Sequence, residues 1–491
     1  MVPWSLLEPL RRRRAGERGP AFRSGDRRVC LLYPSPYRAA MSSLGYQWIH
    51  GVLADAGFHV ERAVLPDDPD AWAQARAPLI TLETETPVAD FPVIGVSLAY
   101  ELELAGLVRC LDLAGIPALR RDRDVDHPQI LVGGPLTFSN PLPAAPFADA
   151  MLLGEAEEAV VPALEAFFDG DRASWLDGLQ GLDGGFVPER DGSHLPAVAK
   201  AGDTLLPARS RILSPEAELS DMFLIEGERG CHRQCTFCVM RRSTNGGMRL
   251  VHPDRLMDLV PEHAPRVGLV GAAISDHPKL VPLLARIVQS GRGVGVSSLR
   301  ADRIALKPRI AELLRAGGYQ TLTVASDAPS ENLRRTLKKG TLERHLIACA
   351  EQAHTHRYRV LKVYMMVGVP GETDDDIDEL VRFTRELASI HPTALGVAPF
   401  VPKRHTPLDG TDFAGIKVVE RRLKRLTRGL RGKATVRPTS ARWAWVEAML
   451  AQGGPEAGEA VMTAVRQGGR FADWKRALKC VDPDTMRPWA A

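Results

Sequence analysis

The sequence predicts an α/β protein made of two successive parallel-sheet units followed by a helical C-terminal region. Three observations predict it. Short apolar runs alternate with helix-period segments between residues 28 and 168, and again between 221 and 410. Most of these runs are continuously apolar, as strands buried on both faces of a parallel sheet are. Glycine and polar residues gather just after the runs, where such sheets hold ligands. A chain of 491 residues is long enough for more than one domain. The expected divisions are an extension (1–27), a doubly wound domain (28–168), a connector (169–220), a partial (β/α)6 barrel (221–410) and a small α-helical cap (411–491).

Composition narrows the function classes. Apolar residues are 45% and charged residues 25%, ordinary for a globular protein. A net charge of +3, from 63 basic and 60 acidic residues, gives no general electrostatic case for nucleic acid or an anionic membrane. No apolar run approaches a membrane span. At the N-terminus the basic run Arg11 to Arg14 follows the apolar stretch, whereas a secretory signal has its charges first. That run reads as a solvated helix end. Of seven cysteines, Cys30, Cys110, Cys349 and Cys480 are scattered singles rather than a disulfide framework, so a reducing, cytoplasmic location is expected.

In the N-terminal third, the run 29–33 ends at Pro34-Ser35-Pro36, and residues 44–56 follow a helical period up to Gly57, a C-cap. Residues 58–64 alternate and read as a strand. Runs at 93–98, 130–132 and 150–153 follow, the last two leading into Gly133-Gly134-Pro135 and Gly154-Glu155. This repetition gives a Rossmann-like, doubly wound sheet. Its ligand side carries Ser35, Ser97, Gly133, Gly134 and Gly154, and glycine there admits a close approach to the backbone. Cys30, inside a strand, and Cys110, on an amphipathic helix, read as buried thiols.

The central unit opens on Gly230-Cys231-His232-Arg233-Gln234-Cys235-Thr236-Phe237-Cys238, just after the apolar run 222–225. Three thiolates on one loop repel each other unless a metal centre neutralises them. A zinc site would need a fourth ligand at short, paired spacing, and none follows. Three readings remain from the residues alone: a four-iron cluster with one open iron, a zinc loop borrowing His232 or His252, or three buried thiols.

Further strands are expected at 267–270, 294–298, 321–325, 361–367 and 395–397, with helices between them. Their C-terminal ends carry Gly271-Ala272-Ala273, Ser298 with Arg300, Ser326-Asp327, and Gly368-Val369-Pro370-Gly371-Glu372-Thr373. In the last, Thr373 and Asp376 fit a capping box. Lys362, Tyr364 and Met366 share one strand face. Pointing into the lumen, Lys362 and Tyr364 become candidate substrate contacts, unless a lumen carboxylate neutralises Lys362. His405, in the Pro-rich loop 399–407, reads as solvated. Residues 417–433 read as a docked helix with a solvated basic face, and Trp443, Trp445 and Trp474 as packing anchors of the cap.

The cysteine stretch resembles the signature of the radical S-adenosylmethionine (SAM) enzymes. The resemblance implies a [4Fe-4S] cluster on Cys231, Cys235 and Cys238, with SAM on the open iron and a 5′-deoxyadenosyl radical formed by its reductive cleavage. Phe237 then lies near the adenine. Gly271 and Ala272 take the place of the segment that holds the SAM amino group, without the acidic residue often found there. Ser298 and Arg300 would reach the ribose or the SAM carboxylate, Ser326 and Asp327 the ribose, and the turn with Gly368, Pro370, Gly371 and Glu372 the adenine. The N-terminal domain looks like the cobalamin-binding domain that precedes many such barrels, through Gly133-Gly134-Pro135 and Gly154-Glu155-Ala156-Glu157. Corrinoid contacts would then come from Ser35, Ser97, Gly133, Gly134 and Gly154. The Asp-x-His-x-x-Gly motif that supplies a lower cobalt ligand is absent.

These likenesses imply cobalamin-dependent methyl transfer to an unactivated centre, with an electron donor such as flavodoxin or ferredoxin and an unidentified substrate. The alternatives are a corrinoid-independent cyclisation or rearrangement, an RNA-modifying enzyme, and a non-catalytic iron–sulfur or zinc protein. Nucleic acid is not an expected partner, because no aromatic platform interleaves the basic residues of 417–433.

Overall fold

The computed structural model of the chain describes residues 2–240, 247–297 and 299–481. Two compact units divide it: Met1–Asp221 together with Met449–Ala491, and Met222–Ala448. The 411–491 segment is therefore shared between the units rather than forming one of its own.

The first unit is a six-stranded sheet. Its strands are β1 (Arg28–Tyr33), β2 (His59–Val64), β3 (Val93–Ser97), β4 (Gln129–Gly133), β5 (Ala150–Leu152) and β6 (Gly185–Phe186). Their order is β2-β1-β3-β4-β5-β6; β1 to β5 run parallel and β6 is antiparallel to β5. The order reverses at β1, so the crevice between the carboxyl ends of β1 and β3 is the switch point at which doubly wound sheets bind ligands. The strands bury Val29, Leu31, Val93, Leu131 and Ala150 against helices that contribute Tyr46, Leu53, Leu164 and Trp175.

The strand expected at 58–64 is present as β2, and all six of its residues are buried. The polar ones have internal partners: Glu61 accepts from His59 at 2.6 Å and from Thr84 at 2.7 Å, and Arg62 pairs with Glu17 and Glu83 at 2.7 Å each. Buried charges are tolerated when paired this way. The basic run is solvated at Arg11 and Arg12, as expected of a helix end, but Arg13 is buried and all four arginines are paired. It lies in the helix Trp4–Ala15, where Arg11 pairs with Glu85 at 2.6 Å, Arg12 with Glu216 at 3.1 Å, Arg13 with Asp67 and Glu216, and Arg14 with Glu17 at 3.0 Å. These acids are far along the chain or in irregular segments, so sequence periodicity does not reveal them.

The helices Pro455–Arg466 and Phe471–Lys479 belong to this unit and bury Trp474. Asn140 donates to the carbonyls of Leu450, Ala451 and Gly453 at 2.7–3.2 Å. The helix Pro455–Arg466 runs so close to the 3-10 turn Leu142–Phe147 that a Cβ at Gly458 would lie 2.0 Å from the Pro143 carbonyl oxygen.

In the second unit β7 (Met222–Glu226), β10 (Arg266–Val270) and β11 (Gly293–Val296) form one parallel sheet. The strands β12 (Thr321–Ala325), β13 (Val360–Val367), β14 (Thr393–Pro399) and β15 (Thr435–Pro438) form another, also parallel. A hairpin of β8 (Glu228–Gly230) and β9 (Met248–Leu250) follows β7. The six strands read from sequence are present, and β15 adds a seventh, parallel to β14; it is short and polar, with little hydrophobic signature. Between β11 and β12 the ladder lapses into a seam. There Arg300 and Ala325 form one parallel bridge, and the Tyr319 hydroxyl both accepts from Val296 N (2.5 Å) and donates to Val296 O (3.2 Å).

The helix Ile416–Gly429 also departs from expectation. Arg422, on its supposedly solvated face, is buried and pairs with Glu372 at 3.0 Å, while Arg425 pairs with Asp378. Trp443 is 39% exposed, whereas Trp474 is buried.

Replacing a glycine in a helix interior by alanine ordinarily stabilises by about 1 kcal/mol. Gly458→Ala is expected to do the reverse, because overpacking against a carbonyl costs ~1–3 kcal/mol. Chemical unfolding should show a lower denaturant midpoint for the variant than for wild type.

Candidate active site

The cysteine loop leaves the C-terminal end of β7 through β8, on the side of the barrel where parallel strands end. Local hydrogen bonds shape it: Arg233 N donates to Cys231 Sγ at 3.4 Å, and Cys238 N to Cys235 O at 3.3 Å. Two further contacts dock it on the turn after the helix Glu331–Thr336. Thr236 N donates to Leu337 O at 3.1 Å, and Cys235 Sγ lies 3.8 Å from Lys338 O. Phe237 packs on an apolar layer of Ala328, Leu333, Leu337, Val369 and Phe400, beside Met366.

The firmest hold is electrostatic. Arg233, between the first two cysteines, makes a bidentate pair with Asp276, both bonds at 2.8 Å. The Asp276 side chain is fully buried and also receives Arg303, with Arg300 at 4.0 Å. Burial works to raise the Asp276 carboxyl, but the hydrogen bonds from Arg233 and Arg303 prevail and hold it at about 2. Asp276 is therefore an anion throughout the physiological range.

The three thiols are free and partly exposed. Burial, first among the causes, pushes Cys231 and Cys238 up, and the neighbouring thiols add to it by mutual repulsion. Among the described residues no three His, Cys, Asp or Glu side chains converge as the ligands of a single ion must. Three soft thiolate donors on one loop suit the irons of an iron–sulfur cluster. The histidines are turned elsewhere. His232 meets Met248 Sδ at 3.3 Å, and His252 accepts from Asp254 N at 3.3 Å and lies 2.8 Å from Lys279 Nζ.

The other residues predicted for the site divide into those exposed or half-buried and those already engaged. Ala272 and Gly371 are exposed and Pro370 is half-buried at the strand ends. Gly271 is held by Ser297, whose hydroxyl accepts from Gly271 N and donates to Gly271 O. Arg300 is buried, donating to Asp302 at 3.0 Å and to Lys339 O at 3.0 Å. The Ser326 hydroxyl is buried, donates to Ala328 O and accepts from Arg334; Asp327 pairs with Lys339. Glu372 accepts from Gly368 N at 2.9 Å and Val369 N at 3.2 Å and so closes its own turn; burial raises its carboxyl. Ser298 lies outside the described residues. The arrangement thus makes Arg300, Ser326, Asp327 and Glu372 supports of the rim.

Two residues were missed, Asp276 and Glu228. Glu228 of β8 lies beside Gly271-Ala272-Ala273, its Oε1 accepting from Ala273 N at 2.6 Å. A Cβ at Gly271 would lie 2.3 Å from that oxygen, so a side chain there would displace the Glu228 carboxylate. Burial, reinforced by Glu226 and Asp276, pushes Glu228 up to about 7. Its only sequence signal is the unusual Glu226-Gly227-Glu228 run just before the cysteines.

In the first unit the crevice residues are likewise partly engaged. Ser35 Oγ donates to Glu103 at 2.9 Å, and Glu103 also accepts from Ala99 N at 2.6 Å. At Gly134 and Gly154 the close backbone neighbour is the protein itself: a Cβ would meet Leu98 O at 2.6 Å and Ala199 N at 2.5 Å, respectively. At Gly133 a Cβ would make only an ordinary contact, with Leu152 O at 3.8 Å. Ser97 ends β3, half-buried.

A parallel barrel with a three-cysteine loop at its carboxyl rim defines a radical-generating iron–sulfur enzyme. The family model of the radical SAM superfamily matches residues 225–384, and that of the N-terminal region of radical SAM proteins matches 45–188. The chain is a radical SAM superfamily enzyme. It is 27% identical over 412 residues to an uncharacterised protein of Methanocaldococcus jannaschii, MJ0966, covering 81% of this chain and 83% of that one. Over 196 residues it is 24% identical to a probable dual-specificity RNA methyltransferase, RlmN, of Gemmatimonas aurantiaca, covering 36% and 54%. Among solved structures it is similar to the radical SAM methyltransferase TsrM of Kitasatospora setae, with cobalamin and a [4Fe-4S] cluster bound, at TM-score 0.55 and 15% identity over 81% of this chain and 78% of that one. The cobalamin-dependent SAM radical enzyme OxsB superposes with TM-score 0.53 and 11% identity over 92% and 71%.

Two outcomes test the loop. Asp276→Asn leaves Arg233 without its anion, and iron bound per chain after anaerobic reconstitution should fall several-fold. Because the Cys231 and Cys238 thiols sit above their ordinary value, cluster assembly must release protons. Iron incorporation, followed by absorbance, should therefore be greater at pH 8.5 than at pH 7.

Proposed function

We propose that the protein is a cobalamin-dependent radical SAM methyltransferase acting on an unactivated centre. The observation that carries this reading is the succession of a 2-1-3-4-5 doubly wound unit and a cysteine-bearing parallel barrel in one chain, an arrangement it has in common with TsrM and OxsB. In this reading Cys231, Cys235 and Cys238 hold a [4Fe-4S] cluster, and Gly271, Ala272, Pro370 and Gly371 border the SAM site. When bound, these groups supply reductive cleavage of SAM and a methyl-carrying cobalt.

The residues of the chain do the positioning. Asp276 fixes Arg233 and with it the spacing of the thiols. Glu228 sets the Ala273 amide and the bend at Gly271. Glu372, tied to Arg422, fixes the Gly368–Glu372 turn. At the β1/β3 crevice no histidine follows β1, β3, β4 or β5. A corrinoid there fits with its lower face open or met by another group. The Gly133 edge is the less crowded one, whereas Gly134 and Gly154 are held by protein. No helix among the described residues is long and apolar enough to cross a membrane, which suits a cytoplasmic enzyme drawing electrons from a flavodoxin or ferredoxin.

The test is anaerobic reconstitution, reduction, and addition of SAM with and without methylcobalamin. Both 5′-deoxyadenosine and S-adenosylhomocysteine are expected, the second only with corrinoid. 5′-Deoxyadenosine alone would move the assignment to a corrinoid-independent radical reaction. Absence of both products, with zinc in place of iron, would overturn the enzyme reading altogether.

A further inference from the structure

We infer that the lumen wall formed by β12–β15 binds a substrate that joins a carboxylate or phosphate to a planar ring. The inference rests on the radical SAM reading for its place in the reaction, but not for its evidence. In the observed register Ala325, Tyr364 and Gly396 lie side by side, and Gly396 pairs with Arg437. Paired residues of a parallel sheet point to the same face. One row therefore reads Ala325-Tyr364-Gly396-Arg437, and the row before it Thr323-Lys362-Ala394-Thr435. The opposite face of β13, with Leu361, Val363, Met365 and Val367, is buried.

Lys362 Nζ stands 4.5 Å from the Tyr364 ring centroid and donates to its hydroxyl at 2.9 Å. The Tyr364 ring is nevertheless 46% exposed. It lies over Gly396, where a Cβ would approach its edge to 2.8 Å. Glycine thus leaves the ring room and opens a gap in the wall. Arg437, exposed, stands on the far side of that gap, two strand spacings or about 10 Å from Tyr364.

None of these four strands contains an Asp or Glu. Among the described residues no carboxylate pairs with Lys362 or Arg437, whereas Lys339 and Lys403 of the same unit hold Asp327 and Glu447. Two uncompensated cations flanking an exposed ring on a concave wall attract an anion and favour a stacked ring beside it. The wall also lies near the radical chemistry. Met366, two residues or about 7 Å along β13 from Tyr364, belongs to the layer on which Phe237 of the cysteine loop packs.

The test is calorimetric titration of the full-length reconstituted protein with indole-3-acetate, phenyl phosphate and the neutral indole-3-acetamide, at low and high salt. Saturable binding of at least one anion is expected, weakening with salt and at least about tenfold tighter than the amide. Lys362→Gln and Arg437→Gln should each weaken it by about tenfold and the pair abolish it, while Lys424→Gln, on an exposed helix face, should change nothing. The relative affinity of the two anions tells carboxylate from phosphate. Circular dichroism confirms that the variants are folded; should a glutamine variant fail to fold, Lys362→Met and Arg437→Met take its place. Binding of the amide equal to that of the anions, retention of binding in the double variant, or no saturable binding of either anion would overturn the inference. Anion binding by a protein that fails to cleave SAM would sink the proposed reaction and leave this site standing.

Discussion

The buried Asp276 carboxylate is the constraint on which the active end of the barrel depends. It sits in no motif, yet it is the common partner of Arg233 from the cysteine loop, Arg303 from the helix Ala301–Leu306 and, at longer range, Arg300 beside the seam. An anion out of water is costly when alone and supportive when several cations share it. Here the sharing ties three segments to one point. A loop of three mutually repelling sulfurs has little cohesion of its own, so its shape must be imposed from outside. Asp276 imposes it through a bidentate guanidinium pair, which fixes direction as well as distance.

A similar economy governs the rim. Arg300, Ser326, Asp327 and Glu372 are placed where ligand contacts are expected in this fold, and each already has an internal partner. The polar residues at the strand ends thus fall into two groups. The engaged ones hold turns in place, and exposed ones such as Gly371 present backbone. In the first unit the same distinction separates Gly133, where a side chain would meet only an ordinary contact, from Gly134 and Gly154, which are glycine because the chain folds back on them.

The strands and the cysteine loop were legible in the sequence because their signals are local. Continuous apolar runs mark buried strands, and spacing alone marks Cys231, Cys235 and Cys238. What was illegible is long-range. Arg233 and Asp276 are 43 residues apart, Arg422 and Glu372 are 50 apart, and neither pairing leaves a periodic trace. Glu228 was hidden because the amide it accepts from, Ala273 N, lies 45 residues downstream. β15 escaped because an exposed edge strand needs few apolar residues. The partners of the Arg11–Arg14 run were not legible because charge composition reports sign but not partners.

The seam beside β11 has a consequence for how this chain tolerates change. Elsewhere in the barrel each strand is locked to its neighbour by a row of amide bonds, so an added or lost residue would throw every later partner out of step. Among the described residues, the coupling between β11 and β12 consists of the Arg300–Ala325 bridge, the phenol of Tyr319 and a bond from Val294 N to Gly317 O at 3.0 Å. The helices Ala301–Leu306 and Arg309–Ala316 that join the two sheets, with Ile304, Ile310 and Leu314 buried and Arg303 held by Asp276, must therefore carry the alignment across, and a change of length in them would be felt at the Asp276 cluster.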